Sequence, residues 1–124
     1  MTKRYIILVE DDYSLAEGLQ LILQDEGYEV LVLSDGDEVE KQLAIHKPDL
    51  MIIDYRLPGR DGASITRAIR QQKNTARLPI IITSAGQRNF EMLAKQAGAM
   101  AFLGKPFEID ELLSLVRKQL SLNT

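Results

Sequence analysis

Tyr5-Ile6-Ile7-Leu8-Val9-Glu10-Asp11-Asp12 carries an apolar run straight into three acids. The run barely alternates between apolar and polar residues, so it reads as a strand buried on both faces. Four more runs share that character: Val30–Leu33, Leu50–Ile53, Ile80–Ile82 and Met100–Leu103. Between them the apolar residues fall at helical spacing. Leu15, Leu19, Ile22 and Leu23 stand at i, i+4, i+7 and i+8. Phe90, Leu93, Ala94 and Ala97 stand at i, i+3, i+4 and i+7, as do Ile109, Leu112, Leu113 and Val116. Val39/Leu43 and Ile65/Ala68/Ile69 are shorter versions of the same stripe. Ser14, with Glu17 three residues on, fits a capping box opening the first helix. Gly27 and Gly98 stand where the first and fourth helices should stop. Pro48 and Pro79 precede the third and fourth strands, where a missing N–H is tolerated. The last helix is expected to end near Leu120. The pattern is β-α repeated five times. It predicts an α/β fold with a doubly wound, five-stranded parallel sheet, flavodoxin-like (βα)5, in strand order 2-1-3-4-5.

Composition sets the outer limits. The 124 residues fit one domain spanning 1–124, large enough to bury its own core. Hydrophobic residues make up 45% and charged ones 27%, a globular balance that argues against disorder. Without cysteine there is no disulfide framework, thiolate metal site or Cys nucleophile. The one histidine, His46, cannot build a His-rich zinc site, and its polar loop suggests exposure. Fifteen basic against 18 acidic residues give a net charge of -3, with no electrostatic footprint for nucleic acid. Any action on DNA would need another domain or a partner. The apolar runs are too short to span a membrane or act as a signal peptide, so a cytoplasmic location is expected.

In open α/β sheets, ligands bind beyond the carboxyl ends of the strands, where the strand order reverses. That point lies between strands 1 and 3. Strand 1 runs into Glu10-Asp11-Asp12, strand 3 into Asp54, strand 4 into Thr83-Ser84-Ala85-Gly86 and strand 5 into Gly104-Lys105-Pro106. Converging carboxylates repel one another unless a cation joins them. An all-oxygen donor set matches a hard cation, Mg²⁺ foremost, which also accepts phosphate oxygens. Each feature has a plainer reading alone. The acid triplet suits a helix N-terminus, Thr83 or Ser84 could cap the fourth helix, and Lys105 could be a solvated lysine. Asp54, closing an apolar run at the switch point, is hard to explain by capping. A phosphoryl-transfer site uses all of them: Mg²⁺ and Lys105 neutralise phosphoryl oxygens, a hydroxyl donates to one, and a carboxylate attacks phosphorus.

Four segments carry a family resemblance: Ile7-Leu8-Val9-Glu10-Asp11-Asp12, Asp54-Tyr55-Arg56-Leu57-Pro58-Gly59-Arg60-Asp61-Gly62, Pro79-Ile80-Ile81-Ile82-Thr83-Ser84-Ala85 and Phe102-Leu103-Gly104-Lys105-Pro106-Phe107. In this order, at the ends of their expected strands, they resemble the receiver domain of two-component response regulators over essentially the whole chain. The resemblance implies that Asp54 accepts a phosphoryl group from a histidine kinase or a histidine phosphotransfer protein. It implies Mg²⁺ held by Asp11 directly, Glu10 through water, Asp54, and the backbone carbonyl of Arg56. Ser84, 30 residues after Asp54, matches the hydroxyl switch, with Thr83 pointing the other way. Lys105 matches the phosphoryl-contacting lysine, before an expected cis peptide to Pro106. Phe102 matches the switch aromatic. The implied output is a changed face of the fourth helix, fifth strand and fifth helix, read by a downstream protein or output domain. The same face can mediate homodimerisation. Catalysis would extend only to the protein's own phosphorylation and dephosphorylation.

The chain departs from the commonest receiver pattern in three places. Glu10 replaces a more frequent aspartate, Phe102 lacks a tyrosine hydroxyl, and Arg56, two residues past Asp54, is large and cationic, while Gly86 at the matching position after Ser84 is empty. Arg56 also argues against an aspartyl-phosphate phosphohydrolase, which needs a second acid there. An FMN binder would need a hydroxyl-rich loop after strand 1, where Glu10-Asp11-Asp12 would instead repel phosphate. A receiver that binds partners without phosphorylation is a further alternative, although every acidic, hydroxyl and lysine position is filled. Gly59 and Gly62 lack the Gly-rich opening of a dinucleotide loop and more simply shape the turn before the third helix. The charged residues Glu108, Asp110, Glu111, Arg117 and Lys118 read as the solvated face of the last helix.

Overall fold

The computed structural model describes residues 3–86 and 89–122. Its strands and helices alternate along the chain: β1 (Tyr5–Val9), α1 (Tyr13–Asp25), β2 (Glu29–Leu33), α2 (Asp37–Ile45), β3 (Leu50–Asp54), α3 (Gly62–Arg70), β4 (Ile80–Ala85), α4 (Phe90–Ala97), β5 (Ala101–Lys105) and α5 (Ile109–Leu122). A short 3₁₀ turn, Lys73–Thr75, lies between α3 and β4. All strand pairs are parallel and the order is β2-β1-β3-β4-β5, as expected.

The weak alternation of the apolar runs has a direct cause. Side chains alternate across a strand, and here each face of the sheet has its own core. Ile7, Val9, Met51, Ile53, Ile80 and Ile82 pack with Val39 and Leu43 of α2, Ile65 and Ile69 of α3, and Phe90 and Ala94 of α4. Ile6, Leu8, Leu50, Ile52 and Ile81 pack with Leu19 and Leu23 of α1 and Leu112, Leu113, Val116 and Leu120 of α5. A central strand is therefore apolar at every position along the stretch that both cores cover. Each fully buried Ile or Leu contributes about 1.5–3 kcal/mol relative to exposure.

Several boundaries differ from expectation. The first helix begins at Tyr13, and its N-cap is Asp12, whose side chain accepts from Leu15 N–H at 3.1 Å. Ser14 lies inside the helix, so the Ser14/Glu17 capping box does not form the start. The chain turns as soon as it leaves β1, and Asp12 reaches the free N–H groups first. Strand β4 continues past its apolar run through Thr83 and Ser84, both buried despite their hydroxyls. The last helix extends to Leu122. His46 is half-buried rather than exposed, with its ring edge-on to Tyr5 at 5.5 Å, because the α2–β3 loop folds back over the start of β1. Gly27 (φ +95°) and Gly98 (φ +102°) take the left-handed conformations that end α1 and α4. Among the described residues no helix is long and apolar enough to cross a membrane.

Candidate functional site

The carboxyl edge of the sheet gathers charge because the ladder continues into it. Glu10 N–H donates to Leu33 O at 2.9 Å, extending the β1–β2 pairing by one residue. That bond pins Glu10 at the sheet edge, 3% exposed, while Asp11 is exposed. Asp54 is the last residue of β3, in register with Thr83 and 7% exposed. Beyond it, Tyr55 N–H donates to Thr83 O and Gly62 N–H to Tyr55 O, each at 2.7 Å, which closes the β3–α3 loop. Gly62 is required there: a Cβ at this position would stand 2.3 Å from the Asp54 carbonyl oxygen. Asp61 caps α3, accepting from Ser64 N–H at 2.7 Å. The sequence reading passed over Asp61; its signal is an Asp three residues before the bonded N–H at a helix start.

Carboxylate oxygens of Glu10, Asp11 and Asp54 lie within 4.8 Å of one another. Lys105 reaches in from the end of β5, its Nζ donating to Glu10 Oε1 at 2.7 Å and Asp54 Oδ2 at 3.2 Å. Glu10 Oε2 accepts from Asp12 N–H at 3.1 Å. The acid triplet thus divides its work: Asp12 caps a helix, while Glu10 and Asp11 join Asp54. Burial raises Glu10 above the ordinary glutamate value and the Asp54 charge adds to the rise, while bonds from Lys105 and Asp12 N–H only partly offset it. Burial alone would lower Lys105, but its two carboxylate partners prevail and hold it above the ordinary lysine value. One ammonium therefore balances two buried acids with a third beside them, a set still short of positive charge. Hard oxygen donors at this spacing suit Mg²⁺ better than a softer metal.

The remaining expected residues lie around this cluster. Ser84 is 1% exposed, and its hydroxyl has no hydrogen-bond partner among the described residues. Thr83 and Ser84 alternate across β4, so Thr83 points the other way from Ser84. Arg56 is exposed on the β3–α3 loop and Gly86 takes φ +71° beyond β4. The Lys105–Pro106 peptide is cis. Phe102 stands on β5, outside the acid cluster, 36% exposed and edge-on to Phe90 at 6.0 Å. Glu108, Asp110, Glu111, Arg117 and Lys118 are all exposed, as expected of a solvated face.

A doubly wound sheet with an acidic, lysine-bridged pocket at its switch point defines a narrow class of protein. Residues 6–117 match the response regulator receiver domain family, and the chain belongs to that family, the receivers of two-component systems. It is 39% identical to the phosphate regulon transcriptional regulatory protein PhoB of Rhizobium meliloti, over 93% of this chain and 51% of that protein. A crystal structure of a putative response regulator from Chloroflexus aurantiacus superposes with a TM-score of 0.93 at 36% identity, covering 97% of this chain and 99% of that one. The receiver domain of sensor histidine kinase PA1611 from Pseudomonas aeruginosa, solved with a magnesium ion coordinated in its active site cleft, gives a TM-score of 0.88 at 34% identity, with 97% and 99% covered. The chain spans about half the length of the curated relatives it matches, 51% and 57% for two of them.

Proposed function

We propose that this chain is a phospho-accepting switch in which Asp54 takes a phosphoryl group from a phosphohistidine of a histidine kinase or histidine phosphotransfer protein. The observation that carries this reading is the placement of the Asp54 carboxylate: at the mouth of the sheet, 3.2 Å from Lys105 Nζ and clustered with Glu10 and Asp11. One Asp54 oxygen attacks phosphorus, the P–N bond breaks, its electron pair returns to the imidazole, and an acyl phosphate remains. Glu10, Asp11, Asp54 and the Arg56 carbonyl are the residues that would hold Mg²⁺. Bound there, the cation supplies charge neutralisation for the phosphoryl oxygens. Lys105 supplies the second positive charge, moving from the carboxylate pair to a phosphoryl oxygen. Ser84, whose hydroxyl is buried without a partner, donates to another oxygen. Its inward pull opens room for Phe102, and the α4–β5–α5 face changes shape. A downstream protein, an output domain or a second copy of the chain reads that face. Water later hydrolyses the acyl phosphate, so the protein turns over its own modification and its output is a conformation.

The test is incubation with acetyl phosphate, with and without Mg²⁺, followed by intact mass for the wild type and Asp54→Asn. A single phosphoryl adduct that needs both Mg²⁺ and Asp54 is the expected result. No adduct on folded protein under any condition would overturn the reading in favour of a receiver that acts by binding alone.

A further inference from the structure

The α4 side of β5 is an aromatic arrangement that the Ser84–Phe102 pair alone does not explain. In register, Ser84 lies beside Gly104 and Ile82 beside Phe102. Ser84, Phe102 and Gly104 therefore share one face of the sheet, the face covered by α4. Phe90, the first residue of α4, lies on that face, 9% exposed and packed into the core with Ile82. Its ring meets Phe102 edge-on, centroids 6.0 Å apart and planes at 84°. The same ring rests over the bare stretch of β5 at Gly104, where an added Cβ would lie 3.9 Å from Phe90 Cε1. The direct way from Phe102 to Ser84 along this face runs past Gly104, and the Phe90 ring lies beside it.

We infer that Phe90 is the gate of the switch: Phe102 turns inward only when Phe90 leaves, so the first turn of α4 must move with it. The inference rests on the switch reading proposed above and adds a residue to it. The backbone around this turn suits such a step. Asn89, immediately before Phe90, holds φ +59°, and Gly86, just past β4, holds φ +71°. Both residues are left-handed, unlike the helix that begins at Phe90. Core packing adds the second condition. Closely packed interiors pass between discrete arrangements rather than deforming continuously. Two rings that cannot occupy one space therefore exchange positions as a unit. The signal at the surface then includes a displaced α4, and not only a buried Phe102.

The test labels the three phenylalanines, Phe90, Phe102 and Phe107, with 4-fluorophenylalanine and assigns each fluorine signal by Phe→Leu substitution. A soluble nitroxide then reports exposure by broadening the signal of each ring, before and after acetyl phosphate with Mg²⁺. Intact mass of the same sample records the adduct on Asp54. In the wild type, phosphorylation should protect Phe102 and expose Phe90 together. In Phe90→Ala, where no ring stands over Gly104, phosphorylation should protect Phe102 at least as fully as Phe90 is protected in the unmodified wild type. Phe90→Leu, which keeps more of the core filled, replaces Phe90→Ala if the latter lacks a cooperative melt. An Asp54 adduct with Phe90 still protected would overturn the gate while leaving the phosphorylation reading intact. So would a Phe102 that stays exposed in both variants once they carry the adduct. Failure to form any adduct on folded wild type would sink both.

Discussion

Glu10 sits under two opposing demands. To hold the proposed Mg²⁺ it would have to stay charged, yet the ladder bond to Leu33 buries it beside Asp54. Its raised pKa means that the folded chain holds the Glu10 proton more tightly than the unfolded chain does. Without a metal, the Glu10 contribution to stability therefore falls as pH rises from the ordinary value of 4.5 through the raised one. Glu10→Gln should remove that slope and raise metal-free stability at neutral pH by about 1 kcal/mol, the scale of functional-site trade-offs. Urea melts at several pH values check this. The same substitution should weaken Mg²⁺ binding at least tenfold, measured by calorimetry, since a neutral donor replaces a carboxylate. Unchanged stability with unchanged affinity would remove Glu10 from the cluster. Lys105 has the same sign in a more alkaline range. Its pKa lies above the ordinary 10.5, so its contribution is complete below that value and is lost as pH rises through the raised one.

The elements hold the site through a few close approaches. Gly62 opens α3 where a side chain would meet the Asp54 carbonyl, so Gly62→Ala forces either the helix or the end of β3 to shift. A loss of roughly 1–3 kcal/mol is expected, the cost of overpacking, together with slower adduct formation because Asp54 moves. Asp61→Ala removes only the helix cap and should cost about 1 kcal/mol with little effect on adduct formation. Chemical melts and adduct rates of the two variants, compared side by side, check this contrast. Elements of this kind were only partly legible in the sequence. The five β-α units could be read because Ile and Val fill both faces of every central strand. Glu10, Asp11, Asp54 and Lys105 could be read as neighbours because each stands within two residues of the end of such a run. The start of α1 was misjudged because Asp12 and Ser14 are both good caps, and only the turn out of β1 selects between them. The close contact at Gly62 and the Phe90 ring over Gly104 join residues far apart in sequence. Spacing along the chain carries no trace of such contacts.

Across the whole molecule, the sheet separates two cores and exposes one charged edge. The core under α1 and α5 holds Lys105's strand in place through Ala101 and Leu103, while the core under α2, α3 and α4 includes Phe90. A charge change at the edge therefore bears on both layers: on Lys105 through its ion pairs, and on α4 through the face that Ser84 shares with Phe90. In the proposed switch, this is the arrangement through which one phosphoryl group on Asp54 would alter a surface built from α4, β5 and α5. The most direct test of the account traps the product. Protein treated with acetyl phosphate and Mg²⁺ is reduced with borohydride, which converts an aspartyl phosphate to homoserine, and the peptides are sequenced by mass spectrometry. Homoserine at position 54, absent when Mg²⁺ is left out, is the predicted result; homoserine at position 11 or 12, 5-hydroxynorvaline at position 10, or no reduced residue at all, would contradict it.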